Sequence, residues 1–167
     1  PYNFSVLCFG FCSLLVGLFV WLKRQDQTGK LYFLVSLFYA GWALPFSIKI
    51  SDNVSYPMAL HAARIANCCA AFIPTVWFHF CLVFTDRIKS HRKWLRNLYG
   101  VPLLILLFFY SPWFVTGLRS ILNFKYYATP GPFYYLMTMN YFVVVPMGFY
   151  QLVKKTKEAS KFEKRQI

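Results

Sequence analysis

Long apolar stretches separated by short polar gaps divide the chain into five segments. The predicted segments are residues 4–22, 31–48, 58–84, 98–113 and 133–153. A hydrocarbon layer about 30 Å thick takes roughly 20 helical residues to cross, which matches most of these lengths. Apolar residues run continuously within each segment, whereas the strands of a membrane barrel alternate over about ten residues. The pattern therefore predicts an all-α, polytopic transmembrane helix bundle.

The gaps between the segments differ in charge. Fourteen of the eighteen Lys and Arg residues lie in residues 23–30, residues 87–96 and the tail of residues 154–167. The other four are Lys49, Arg64, Arg119 and Lys125. Gaps that are rich in Lys and Arg alternate with gaps that are poor in them, as in membrane proteins that keep these residues in their cytoplasmic loops. We therefore predict a multi-pass protein of the cell (inner) membrane with an outer amino terminus, an outer loop over residues 114–132, and a basic cytoplasmic tail.

The composition limits the class of partner. Hydrophobic residues make up 58% and aromatic residues 22% of the 167-residue chain, whereas soluble domains are about half apolar. A net charge of +13 is typical of a nucleic-acid binder when it covers a soluble face. Here it lies in short blocks between apolar segments. The expected partners are therefore the bilayer and its anionic inner-leaflet lipids, and no nucleic acid.

Residues with catalytic or ligating chemistry are scarce. All five cysteines lie inside apolar segments, so the sequence predicts neither a disulfide framework nor a metal site. The sequence contains no P-loop, no nucleophile elbow and no paired carboxylates on one predicted helix. We therefore predict no catalytic residue, no cofactor and no enzymatic activity in this chain.

The third segment carries polar residues in an apolar setting. His61, Arg64 and Asn67 are spaced by three, so they share one side of a helix. Asp52 is the sole carboxylate expected on that side of the membrane. Arg64 must then reach the membrane surface, bond to backbone carbonyls, or meet an anion. The last option makes the three residues a candidate ligand-binding set beside an outward-opening pocket.

His79 lies near the other end of the same segment, between Phe78 and Phe80. We interpret it as a hydrogen-bonded core histidine. Haem ligation would require a second histidine at matching depth, but His61 is near the opposite end and His91 is in a predicted loop. No haem is therefore expected.

Several short motifs resemble one family along the chain. Arg64-Ile65-Ala66-Asn67, with Pro74 and Trp77-Phe78-His79-Phe80, resembles the third helix of the amino-terminal seven-transmembrane sensor region of bacterial histidine kinases, a module that also precedes PAS and diguanylate cyclase domains. Similar stretches are residues 39–44, which include Trp42, then Gly131-Pro132 before the fifth segment, and residues 164–167. The resemblance marks Trp42, Pro74, His79, Gly131 and Pro132 as structural positions of the family pattern.

The resemblance implies a sensory input module of a signal-transduction protein. Such a module detects a small ligand or a membrane state and relays it to a cytoplasmic output domain. It implies seven helices, of which five are predicted here, so the chain is either a fragment of a longer sensor or a shortened relative. We expect a fragment, in which the gene continues beyond Ile167 with two further spans and a signalling domain. Histidine kinase or diguanylate cyclase activity, and any homodimer contact between cytoplasmic domains, would belong to that part.

Two other classes of protein remain open at this point. A transporter or channel component would need a water-lined path and often has broken helices near the midplane. Pro74 and Pro146 permit such breaks, but few polar residues are available to line a path. A structural subunit of a membrane complex would need nothing beyond packing faces.

The charge pattern makes a testable prediction about orientation. Single cysteines placed at Ser90 and Ser120 should react from opposite sides of the membrane, position 90 from the cytoplasm and position 120 from outside. Labelling intact cells with a membrane-impermeant thiol reagent, in a variant without the native cysteines, measures this. Outside labelling of position 90 would overturn the predicted topology.

Overall fold

The computed structural model describes residues 2–51, 53–122 and 124–158. Within these residues it contains five helices and one hairpin, in the order α1 (Tyr2–Lys23), α2 (Gln27–Lys49), α3 (Tyr56–Phe84), α4 (Ile88–Phe108), β1 (Val115–Ile121), β2 (Phe124–Pro130) and α5 (Pro132–Glu158). The predicted all-α bundle is confirmed, with a two-stranded antiparallel hairpin added to it. Residues 159–167 of the predicted tail lie outside the described residues.

Four helices, α1, α2, α3 and α5, are long and apolar enough to cross a membrane. The helix α4 does not qualify because its first half carries four basic residues. It nevertheless returns the chain from one end of the bundle to the other, since α3 and α5 run parallel. Tyr141 of α5 contacts Ala70 of α3, and Gln151, further along α5, contacts Arg87, just beyond the end of α3.

The centre of the bundle is α3, which packs against α2, α4 and α5. Its buried side is rich in alanine, and small side chains allow helices to approach closely. The buried alanines of α3 are Ala59, Ala62, Ala63, Ala66, Ala70 and Ala71. The helix is 29 residues long, or about 43 Å at 1.5 Å per residue. This length places its polar groups at two well-separated ends of the bundle.

The start of α2 lies four residues before the predicted one, because Asp26 caps it. The carboxylate of Asp26 accepts the backbone N–H of Gly29 at 2.8 Å and the Nε–H of Arg24 at 2.7 Å. The hydrogen bond from Gly29 and the adjacent Arg24 hold the pKa of this exposed carboxyl below its ordinary value. Its stabilising contribution is therefore present at neutral pH and is lost as the pH falls through the depressed pKa.

Both ends of α4 differ from the predicted segment of residues 98–113. The helix begins at Ile88 because Lys and Arg are good helix formers, so the basic gap continues the helix instead of forming a loop. His91 accordingly lies in this helix and not in a loop. The helix ends at Phe108, before Pro112, whose ring disfavours a helical conformation at the preceding residue. Lysine also favours helix in the tail, so α5 continues beyond residue 153 and ends at Glu158.

The predicted loop of residues 114–132 is mostly a hairpin. Its strands are rich in β-branched and aromatic residues, which favour a half-buried strand. Leu118 pairs with Ala128 and Arg119 with Tyr127. We call the end of the bundle that carries the strands the hairpin end. The opposite end, where α3 and α5 finish and α4 begins, is the basic end.

Gly131 joins the hairpin to α5 at a close backbone approach. Its N–H donates to the carbonyl of Phe114 at 2.9 Å, and the N–H of Phe133 donates to that of Trp113, also at 2.9 Å. A Cβ atom at Gly131 would lie 2.4 Å from the Trp113 oxygen and 2.5 Å from that of Pro112. Gly131 is thus needed for the close approach that ties the start of α5 to the chain before β1.

Gly131→Ala should therefore destabilise the protein by about 1–3 kcal/mol, as in other overpacked sites. Gly100→Ala is the matched control, since a Cβ there meets nothing within 4 Å. It lies within α4, where Ala is favoured over Gly by about 1 kcal/mol. Thermal unfolding of the purified variants in detergent measures both changes. A Gly131→Ala variant as stable as its parent would contradict this account of the junction.

Candidate functional site

The guanidinium of Arg64 lies beneath the hairpin. Its Nη2 donates to the carbonyl of Val115, the first residue of β1, at 3.5 Å. Its Cζ atom lies 5.8 Å from the centre of the Tyr110 ring. Its Nε is buried and has no hydrogen-bond partner within the described residues, and none of their ion pairs involves this arginine. One long hydrogen bond and the face of the Tyr110 ring hold the Arg64 guanidinium, and its Nε–H has no partner among the described residues.

The other two predicted site residues differ in their surroundings. The His61 ring is exposed and lies 5.6 Å from the Tyr110 ring, centre to centre. The Asn67 amide donates to the carbonyl of Ala63 in its own helix at 2.8 Å. The structure therefore brings His61 and Arg64 together around Tyr110, whereas the Asn67 amide is bound locally. The role of the three residues in ligand binding stays a prediction.

The hairpin is fastened to the beginning of α3 and the end of α2. The Leu118 N–H donates to the Tyr56 hydroxyl at 3.2 Å, and the Tyr126 hydroxyl donates to the Val54 carbonyl at 3.3 Å. The buried ammonium of Lys49 lies 4.1 Å from the centre of the Phe46 ring and 5.7 Å from that of Tyr127. These contacts make the hairpin a cover over the polar end of α3.

The middle of α5 is bonded to α3 through polar groups. The Tyr141 hydroxyl donates to the Ala70 carbonyl at 2.7 Å, and the Asn140 amide donates to the Thr75 hydroxyl at 3.4 Å. Gly148 lets the helices approach, because a Cβ there would lie 2.7 Å from Nε1 of Trp77. The two helices are thus held in one register along their length.

A group of charged residues joins the helices at the basic end. Arg87, which follows α3, donates to the Gln151 side chain at 3.0 Å and pairs with Glu158. Lys155 and Asp86 form a second ion pair, with 3.4 Å between Nζ and Oδ2. We call these residues the Arg87 cluster. It connects the end of α3 to the last turns of α5, which is 27 residues long.

Comparison with known proteins now identifies the family. A family model described as the N-terminal 7TM region of histidine kinase matches residues 5–167. The chain belongs to this family. Comparisons with curated proteins and with solved structures give no match. The matched region is a membrane sensory input module, which is the non-catalytic sensor region of these kinases.

Most residues of the histidine kinase sensor pattern are packed, whereas Pro132 is exposed at the start of α5. The Trp42 ring of α2 packs against α1 and its own helix, with ring-centre distances of 6.4 Å to Phe9 and 5.4 Å to Phe46. Pro74 is fully buried within α3. Gly131 and Pro132 form the junction between the hairpin and α5 described above.

His79 of the same pattern lies near the basic end. Its Nδ1 is 3.0 Å from the Tyr99 hydroxyl, and its Nε2 is buried with no hydrogen-bond partner among the described residues. A search of those residues finds no group of three or more His, Cys, Asp or Glu side chains that would hold a metal ion. The five cysteines have free thiols.

Sequence reasoning missed Tyr110 and Val115 as neighbours of Arg64. Both contacts are between residues distant in sequence, with 51 positions separating Arg64 from Val115. The one available signal was the cluster of β-branched and aromatic residues after Pro112, which indicates strand.

Tyr141→Phe should weaken the contact of α5 with α3 in this sensor region. Interhelical hydrogen bonds in membranes contribute about 0.6 kcal/mol on average and up to about 1.7 kcal/mol, so a loss in that range is expected. Tyr135→Phe is the matched control, because Tyr135 is on the same helix and is 63% exposed. Thermal unfolding in detergent compares the two variants. Equal stability of both would refute the contribution of the Tyr141 hydroxyl.

Proposed function

We propose that this sensor region detects a ligand with an anionic or strongly polar group at its hairpin end and relays the event to a cytoplasmic output domain. The observation that carries the proposal is the contact of Arg64 with Val115. It joins an incompletely bonded guanidinium to the first residue of β1. A guanidinium binds a carboxylate or a phosphate with two parallel hydrogen bonds, which makes Arg64 the recognition group.

The proposed orientation places the hairpin end outside and the carboxyl terminus in the cytoplasm. The support is the fourteen-to-four division of Lys and Arg between the two sides. The hairpin end carries few basic residues, and the exposed Arg92 and Lys93 lie at the basic end. A water-soluble ligand would therefore reach His61 and Arg64 from outside.

In the proposed mechanism, the ligand competes with the Val115 carbonyl for Arg64. Loss of that 3.5 Å contact frees the start of β1 to shift. The shift passes to α5 because the backbone N–H of Gly131, between the hairpin and α5, donates a hydrogen bond to the carbonyl of Phe114, which directly precedes β1. A ligand produces such a change to the extent that it binds the two arrangements with different affinity.

The proposed relay ends at the Arg87 cluster. The hydrogen bond from Tyr141 to Ala70 holds the middle of α5 against α3, so a shift at Gly131 tilts α5 about this point. Such movement would alter the pairing of Arg87 with Gln151 and of Asp86 with Lys155, which both lie at the basic end. The cytoplasmic output would respond to that change.

Substitution of Arg64 tests this coupling without an identified ligand. Cysteines at Asp86 and Lys155, in a variant without the native cysteines, report the spacing of α3 and α5 at the basic end by their rate of disulfide cross-linking. Arg64→Ala should change that rate by about fivefold, the lower end of usual allosteric coupling. Arg64→Lys should give most of this change, because the lysine side chain is shorter and the contact with Val115 is already 3.5 Å long.

Ile65→Ala is the matched control, since Ile65 is the next residue of α3 and is 40% exposed. It should leave the cross-linking rate and the thermal stability unchanged. An Arg64→Lys variant indistinguishable from the parent in both measurements would refute the proposal, since an arginine that merely reaches lipid phosphate is replaceable by lysine.

A further inference from the structure

A cavity of about 650 Å³ lies at the basic end, far from Arg64. It is bounded by the start of α2, the end of α3 and the first half of α4. Four basic side chains of α4 line it, namely Lys89, Arg92, Lys93 and Arg96. Their spacing of three and four places them on one side of the helix. The cavity is therefore strongly positive.

The basic residues of the cavity have no compensating charge in the described part of the chain. The three ion pairs there are Arg24 with Asp26, Arg87 with Glu158, and Lys155 with Asp86, so none involves the cavity residues. Like charges three and four residues apart on a helix repel each other. Positive charge near a helix amino terminus is also disfavoured by the helix dipole, and Lys89 is the second residue of α4. Both costs would be relieved by a bound anion.

Two uncharged polar side chains also lie in the wall of the cavity. His79 lines it, and its Nδ1 is 3.0 Å from the hydroxyl of Tyr99, which also lines it. The pair therefore adds polar lining beside the four basic side chains.

The type of anion follows from the donors. Arg92 and Arg96 each offer a planar fork that matches two oxygens of one phosphate, and the lysines offer point charges. The cavity also has apolar lining from Ile88 and Leu95. Beyond Tyr99, α4 exposes apolar side chains, Leu103, Leu104, Leu106 and Leu107. The cavity therefore lies where the helix changes from basic to apolar.

We propose that this cavity binds a phosphate group, and that its source is the headgroup of an anionic phospholipid. The phosphate would lie against Arg92 and Arg96, and the acyl chains would run along the exposed leucines of α4. Basic pockets between transmembrane helices bind such headgroups. This site is separate from Arg64 and does not depend on the function proposed above.

Native mass spectrometry of the full chain in detergent, with phosphatidylglycerol or phosphatidylcholine added, tests the proposal. Phosphatidylglycerol should bind more tightly than phosphatidylcholine, and Arg92→Gln/Arg96→Gln should weaken it by roughly tenfold or more. Lys154→Gln/Lys157→Gln is the matched control, because it removes two exposed charges outside the cavity. It should weaken binding by no more than about twofold, as expected for screened surface charge.

Competition on the parent protein distinguishes the two sources of phosphate and needs no variant. Excess inorganic phosphate or glycerol phosphate should leave phosphatidylglycerol bound. If either soluble compound displaces the lipid and its own binding is lost in Arg92→Gln/Arg96→Gln, a soluble ligand replaces the lipid and the proposed source is wrong. If both double variants lose lipid equally, or neither does, general surface attraction explains the binding and the site is refuted. Melting temperatures of both variants in lipid-free detergent check that they are folded.

Discussion

The close approach of neighbouring helices to α3 is the constraint on which the rest of the structure depends. Helices in hydrocarbon gain nothing from hiding apolar surface from one another, so they associate where small side chains let backbones come near. The alanine side of α3 provides this, with Ala59, Ala63 and Ala71 at 0% exposure. Gly41 of α2 and Gly148 of α5 are the matching small residues, because a Cβ there would meet Cys69 and Trp77 at 2.8 Å and 2.7 Å. The positions of α2 and α5 are therefore set by residue size along α3.

Close packing also fixes which polar groups can meet. The Tyr141 hydroxyl of α5 reaches the Ala70 carbonyl because α3 has the small side chains of Ala70 and Ala71 at this point. In an apolar surrounding an unpaired polar group is costly, so these bonds define one register of α5 against α3. That register also determines which residues meet at each end of the bundle. It places Gly131 beneath the chain before β1 and Gln151 beside Arg87.

The sequence was sufficient for α1, α2, α3 and α5, which are long and apolar enough to cross a membrane, and for the family, because continuous apolar runs and the motifs around Arg64 are local signals. It was insufficient where a basic stretch suggested a loop but the helix propensity of the same residues favoured a helix. Residues 88–97 are basic and were expected to form a loop, but Lys and Arg favour helix, and α4 begins at Ile88. The hairpin was missed because its strands are only half buried and do not alternate strictly. The shortage of acids near Arg64 was visible in the sequence, whereas its neighbours Tyr110 and Val115 follow from tertiary packing.

The distribution of bond strengths suits the relay that we propose. A ligand can shift an equilibrium by no more than its difference in affinity for the two states. A contact as long as that of Arg64 with Val115, 3.5 Å, is at the weak end of hydrogen bonds to charged groups, whose net contribution is about 1.5–3 kcal/mol. Binding of one carboxylate or phosphate is enough to replace it. Two hydrogen bonds join α5 to α3 near its middle, one of 2.7 Å from Tyr141 to Ala70 and one of 3.4 Å from Asn140 to Thr75. A change at the hairpin therefore costs less than separating the helix pair, so in the proposed relay α5 stays attached at Tyr141 and its tilt about this point reaches the Arg87 cluster.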